Sequence, residues 1–289
     1  MSTIKEKLNI VPIFDKDVDL ESCELNESFD ECCFDISITA KKLDENKYVI
    51  ILKVTPQEGS KYELIVDYLL MVNEKCFYRE RDYWKKKEVL ENVTTKESKI
   101  RICLGISVQQ ALIAENLTEK TSFRYYRILC AGTTFFINPT YLKKLECSLF
   151  TKWYNDEVTH ESCTIIQELT ENELALLLNA CCGYSSIVIH SRNIYEVGEI
   201  AIQFRIVGII RAIDAYIRSL KLMHPVRKLE MALFFRLTQV ADEIIRENKN
   251  SMSRLTLLHE YLKENEEDLC DMHPDVLKML EIFDDHIVL

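Results

Sequence analysis

Glycine is scarce in this chain of 289 residues: six occur, with five prolines and two tryptophans. Loops that cradle phosphate need closely spaced glycines so that backbone N–H groups can reach the anion. Neither a phosphate-binding loop nor a dinucleotide fingerprint is present. A Gly-x-Ser-x-Gly nucleophile elbow and a His-Glu-x-x-His zinc helix are missing too. The six histidines (His160, His190, His224, His259, His273, His286) are dispersed, and the eleven cysteines include no Cys-x-x-Cys pair. Zinc takes four ligands at short, repeated spacing. The adjacent pairs Cys32-Cys33 and Cys181-Cys182 point to different sides of their elements and make poor chelators. The expectation is a chain with no metal, no cofactor and no catalytic residues: not an enzyme.

Long apolar runs are also absent. No stretch approaches the ~18 residues of a membrane helix, and Met1 to Leu20 has scattered charges with no apolar centre of a signal peptide. A cytoplasmic or nuclear protein with no membrane partner is expected, its cysteines buried thiols rather than disulfides. Asn-x-Ser/Thr triplets at Asn26, Asn92 and Asn116 are then chance matches. Basic charge is in deficit, 36 Lys and Arg against 47 Asp and Glu, a net −11. Nucleic-acid affinity rests on concentrated cations, so no nucleic-acid partner is expected. The Lys85-Lys86-Lys87 run is the local exception, readable as a solvated loop or as an anionic-ligand patch. Asp284-Asp285-His286 reads as a metal or acid–base cluster or as the polar face of a terminal helix. Glu264, Glu266, Glu267 and Asp268 read as a hydrated turn.

What is present is apolar patterning, at 47% hydrophobic residues. Before residue 105 it alternates, in Phe34–Ile38, Tyr48–Val54, Tyr62–Val72 and Ile100–Leu104, with turn chemistry at Asp44-Glu45-Asn46 and Pro56-Gln57-Glu58-Gly59. Such segments predict a small β-sandwich. The preceding residues carry many acids and little pattern, which predicts a loose arm over 1–27.

Later, Phe123 to Cys130 and Thr134 to Ile137 flank Ala131-Gly132-Thr133 as a hairpin, and helical signals follow. Thr170-x-x-Glu173 is a capping box ahead of Leu174, Leu177, Leu178 and Cys181. Asn193-x-x-Glu196 repeats it ahead of Val197, Ile200, Ala201 and Phe204. Ile209, Ile213, Tyr216, Ile217 and Leu220 form a further stripe. Pro225 opens a long helix through Leu229, Leu233, Leu237, Val240, Ile244 and Ile245. Ser253 and Pro274 head two shorter ones. The fold class expected is α+β, in two domains.

The segment Thr134 to Phe150, with Phe135, Asn138, Tyr141, Leu142, Ser148 and Phe150, resembles the start of a BTB/POZ domain. Cys163 to Leu169 then resembles the strand before its next helix. Asn193, Ile194, Ala201 and Phe204 resemble the family's later helix. The tail is similar to the helices that follow BTB domains in the large nematode families. Phe34–Ile38, Tyr48–Leu52 and Tyr62–Val66 resemble a reduced MATH domain, as in MATH–BTB proteins. The resemblance implies a MATH-like sandwich over 28–105, a BTB/POZ α/β cluster over 106–222 and a helical extension over 223–289.

It also implies a protein-interaction adaptor: a homodimeric, substrate-recruiting subunit of a cullin-type ubiquitin ligase, with an unknown target protein on the sandwich. A BTB-based scaffold without cullin binding stays open beside it. The dimer interface would be a helix over Ile106 to Leu117, carrying Val108, Leu112 and Ile113, with Phe123 and Tyr125 on a strand exchanged over Phe123 to Leu129. Packing within one monomer is the alternative for both. The cullin contact would use Trp153, Tyr154, Val158 and Glu161, whose two rings could equally pack in a core. His160 stands where cullin-binding families carry an acid, Tyr125 where Asp is common, and Cys182-Gly183 replaces the usual turn.

Overall fold

A computed structural model describes residues 10–22, 24–44, 47–148, 150–151, 155, 163–266 and 268–280, with backbone alone at 163–166. The chain is α+β and falls into two units. The first runs to Glu115 and includes His190–Arg192; the second holds Asn116–Ile189 and the chain from Asn193 onward.

The first unit is built from β1 (Pro12–Asp19), β2 (Leu25–Glu31), β3 (Phe34–Asp44), β4 (Lys47–Pro56), β5 (Tyr62–Val72), β6 (Lys75–Trp84), β7 (Glu88–Thr95) and β8 (Lys99–Ile113). They form two antiparallel sheets, ordered β1-β8-β5-β6 and β2-β3-β4-β7. Alternate residues of a strand face one side, so Phe34, Ile36, Ile38 and Ala40 of β3 enter the core between the sheets. There they meet Leu64, Val66, Tyr68 and Leu70 of β5 and Ile100, Ile102 and Leu104 of β8. Trp84 is fully buried, its ring 6.2 Å from Phe34 and 6.1 Å from Tyr68. The β2–β3 hairpin turns on Cys32 and Cys33, both with positive φ, a geometry usually given to Asn-Gly.

Three expectations for this half are corrected. The loose arm is not loose from Pro12 on: β1 pairs along β8, and Phe14, Val18 and Leu20 are buried. On this edge strand Asp15, Lys16 and Asp17 are exposed, Lys16 on the face of Phe14 and Val18 where it pairs with Glu27, and those charges masked its pattern. The helix expected over Ile106 to Leu117 is strand as far as Ile113, paired with β5 from Val72↔Ile102 to Tyr62↔Ile113. A bulge opposite Ile65 and Val66 inserts Gln109 and breaks the alternation there. Val108 and Leu112, four apart, fit a helix stripe, but in β8 the bulge sends them to opposite faces, Val108 across from Val66 and Leu112 across from Glu63. The boundary expected near residue 105 therefore falls inside β8.

The second unit opens with a hairpin, β9 (Tyr126–Cys130) and β10 (Thr133–Ile137), turning on Ala131 and Gly132 at positive φ. After α1 (Thr140–Lys144), β11 (Cys163–Ile166) returns parallel to β9, giving the order β10-β9-β11. There follow α2 (Glu171–Cys182), α3 (Ile194–Phe204), α4 (Val207–Ser219), α5 (Pro225–Phe235), α6 (Thr238–Glu247), α7 (Ser251–Asn265), a 3-10 turn (Leu269–Asp271) and α8 (Pro274–Met279). One core takes in Phe135, Leu142, Leu177, Val197, Ile213, Leu229 and Val240, with Phe204 packed against it. The Thr170 capping box forms: the Thr170 hydroxyl accepts from the Glu173 N–H, and the Glu173 carboxylate accepts from the Thr170 N–H at 2.8 Å.

Here too the structure departs from expectation. Asn193 precedes α3, but its side chain donates to the Val188 carbonyl at 3.0 Å and no second capping box forms. The long helix from Pro225 breaks at Arg236, whose φ is 58°, and resumes at Thr238. The Leu229–Leu233–Leu237–Val240 stripe runs across that break, so periodicity alone could not reveal it. Finally, Phe123 and Tyr125 precede β9, which begins at Tyr126 and is flanked by β10 and β11.

Candidate functional site

Within the first unit, charged groups gather at one end of β5 and β6. The Tyr83 hydroxyl donates to Glu63 Oε2 at 2.7 Å, and Lys85 Nζ pairs with Glu63 Oε1 at 2.7 Å. The Tyr83 ring stacks on His190, centroids 4.0 Å apart and planes 2° apart. Arg192 binds Glu88 through both terminal nitrogens, at 2.9 and 2.7 Å. Burial holds the His190 imidazole near a pKa of about 4, with the Arg192 guanidinium acting in the same direction. These groups are engaged with one another, in ring, hydrogen-bond and ion-pair contacts. Lys85, Lys86 and Lys87 form the exposed loop between β6 and β7, and Lys85 is tied to Glu63.

The second unit carries an open groove of about 560 Å³ between α3, α5, the 3-10 turn and α8. Its apolar wall is Tyr195, Met231, Leu233 and Phe234; its polar rim is Arg227, Glu230, Asp271, His273 and Asp275. Adjacent residues on a helix diverge by about 100°, and here only one of Phe234 and Phe235 enters the core. Phe235 does, at 1% exposure, while Phe234 is 49% and Tyr195 44% exposed. The Phe234 and Phe235 rings meet edge-on at 4.8 Å, and Tyr195 lies 6.2 Å from Phe234 and 5.9 Å from Phe235. The buried ring thus props two exposed ones.

Around the rim, Arg227 Nη1 donates to Glu230 Oε2 at 2.7 Å, and the Tyr261 hydroxyl donates to the same oxygen at 3.3 Å. His273 Nδ1 accepts from the Asp275 N–H at 3.2 Å, at the start of α8. Lys278 lies 2.9 Å from Asp275 and holds that carboxyl below its ordinary range. Asp271 accepts from the Asp268 N–H at 3.0 Å. Donor atoms of Asp268, Cys270 and Asp271 lie within 4.8 Å of one another, all on exposed residues. The rim offers anchored charge, and the wall offers apolar area; together they suit binding of a segment that is apolar at its centre.

Of the residues singled out in the sequence, Val108, Leu112 and Ile113 lie on β8, with Leu112 buried and Ile113 exposed. Phe123 and Tyr125 are exposed in the loop before β9, and Phe123 meets Tyr141 edge-on at 6.4 Å. The expected dimer residues thus belong to two different units. Trp153, Tyr154, Val158 and Glu161, and likewise Asp284-Asp285-His286, lie outside the described residues. The groove residues were missed in the sequence. The available signal was Leu233-Phe234-Phe235, three large apolar residues in a row, a span of about 200° that is wider than one apolar stripe. No family model matches the chain, and a search of curated proteins finds no relative. No described helix is long and apolar enough to cross a membrane.

Proposed function

We propose that this chain is a non-enzymatic protein-interaction adaptor. Its second unit acts as a BTB/POZ-like module toward a cullin-type ubiquitin-ligase scaffold, and its MATH-like sandwich holds the protein to be modified. One observation carries the reading: Phe135, Leu142 and Leu177 share a single core, with Phe204 packed against it. These four positions come from the hairpin, the first helix, the capped helix and the later helix on which the resemblance rests. Four separate cores would have ended it. Dimerisation through a leading helix is not part of the proposal, because that segment is β8. The test is binding of the full chain to a purified cullin N-terminal region, by calorimetry at tens of micromolar. Binding that Val158→Asp abolishes, with the melting temperature kept, is the expected result. No binding by the unaltered chain overturns the cullin role.

The scaffold reading keeps the same module without ubiquitin transfer. The groove favours it, because that surface is formed by helices after the hairpin-and-helix core and needs no cullin to have a use.

A further inference from the structure

The groove between α3, α5 and α8 has a composition that selects its occupant. Tyr195 and Phe234 are about half exposed, and they stand over the buried Phe235 rather than lying loose on the surface. Rings held in this way lose little conformational freedom when they are covered, which is why such side chains dominate interface energetics. The volume of about 560 Å³ lies within the range of small-ligand pockets, roughly 300–1,000 Å³. The site is a trough open to solvent, a shape that suits a short run of polypeptide lying along it.

Charge then decides the kind of polypeptide. The lining holds three carboxylates, Glu230, Asp271 and Asp275, against one guanidinium, Arg227, and one histidine. Arg227 is taken up by Glu230, and Lys278 by Asp275. Asp271 has no cationic partner among the described residues, and its carboxylate lies within 4.8 Å of that of Asp268. Two like charges at that spacing repel, and a cation placed between them relieves the repulsion. A cation over the exposed faces of Tyr195 and Phe234 gains further from the ring quadrupole. Acidic segments are repelled by the same rim.

We infer that this groove binds a short linear segment of a partner protein that carries an apolar anchor flanked by lysine or arginine. The anchor lies against Phe234 and Met231, and the cation reaches Asp271 and Asp268. The inference deepens the adaptor reading by naming the chemistry of one partner, and it rests on that reading.

The test uses the full chain and a phage-displayed library of random 12-residue peptides. The expected result is enrichment of sequences that pair Lys or Arg with Leu, Ile, Met or an aromatic residue. Synthesised peptides from that pool should lose at least tenfold in affinity on Phe234→Ala and on Asp271→Lys, and should weaken as salt is raised. Tyr195→Ser gives a second probe of the wall should Phe234→Ala fold poorly. The inference is overturned by enrichment of acidic or uncharged peptides, by no enrichment, or by affinity that these substitutions leave unchanged. A concentration-dependent dimer broken by Phe234→Ala, with no peptide selected, assigns the groove to a second copy and also overturns it. Peptide binding retained in a chain that binds no cullin supports this inference while removing the cullin role. Cullin binding without peptide binding does the reverse.

Discussion

Replacing Gly198 by alanine sets two effects of known size against each other. Gly198 lies inside α3, where an alanine ordinarily gains about 1 kcal/mol in helix propensity. In this fold, however, a methyl there would stand 2.3 Å from Cε1 and 2.8 Å from Cδ1 of Phe235, and 3.2 Å from Cδ1 of Ile213. Carbon atoms pack at about 3.5–4.0 Å. Phe235 and Ile213 are each 1% exposed, so neither has open space to move into. Overpacking of a closed core costs about 1–3 kcal/mol. Subtracting the propensity gain from the upper part of that range leaves a net loss of about 1–2 kcal/mol. At about 2–4 °C per kcal/mol for a unit of this size, the melting temperature should fall by roughly 2–8 °C. Near-UV circular dichroism is the suitable assay, because the displaced ring is the one that props Tyr195 and Phe234, so the aromatic signal should change before melting begins. Gly208→Ala is the internal comparison. Its methyl would meet the Lys144 carbonyl oxygen at 2.3 Å, where the Gly208 N–H already donates to the Leu145 carbonyl at 3.1 Å. Relieving that clash requires moving the backbone of Lys144 and Leu145 and not a side chain alone, so this variant should melt lower still. A Gly198→Ala protein melting at or above the parent temperature would refute the reasoning, because propensity would then have won.

Two further outcomes test the first unit. Trp84→Ala removes a fully buried ring packed on Phe34 and Tyr68, and should destabilise by about 3–5 kcal/mol in urea titration. An unchanged midpoint would mean that this core is not as described. His190 has a folded pKa of about 4 against an ordinary 6.5, so the unfolded chain binds the extra proton first. Its contribution is complete above pH ~6.5 and is lost as pH falls toward 4, up to about 3 kcal/mol at 1.36 kcal/mol per pKa unit. His190→Phe should flatten that part of the stability profile, and an NMR titration midpoint for His190 near 6.5 would count against its burial.

Wherever one local rule sufficed, the sequence by itself determined the structure. Phe34, Ile36 and Ile38 alternate because a sandwich strand has one dry face, and Thr170 with Glu173 starts α2 because both groups of the cap lie within one turn. Pro225 and Pro274 open helices because a first position needs no N–H. Only the tertiary structure decided the rest. Val108 and Leu112 fit a helix stripe, and only the pairing of β8 with β5, with its bulge at Gln109, made the segment a strand. The stripe through Leu233 and Leu237 continues across Arg236, so the break between α5 and α6 has no mark in the pattern. The exposed wall of Tyr195 and Phe234 arises from elements dozens of residues apart, and a groove of that kind has no signature shorter than the fold that assembles it.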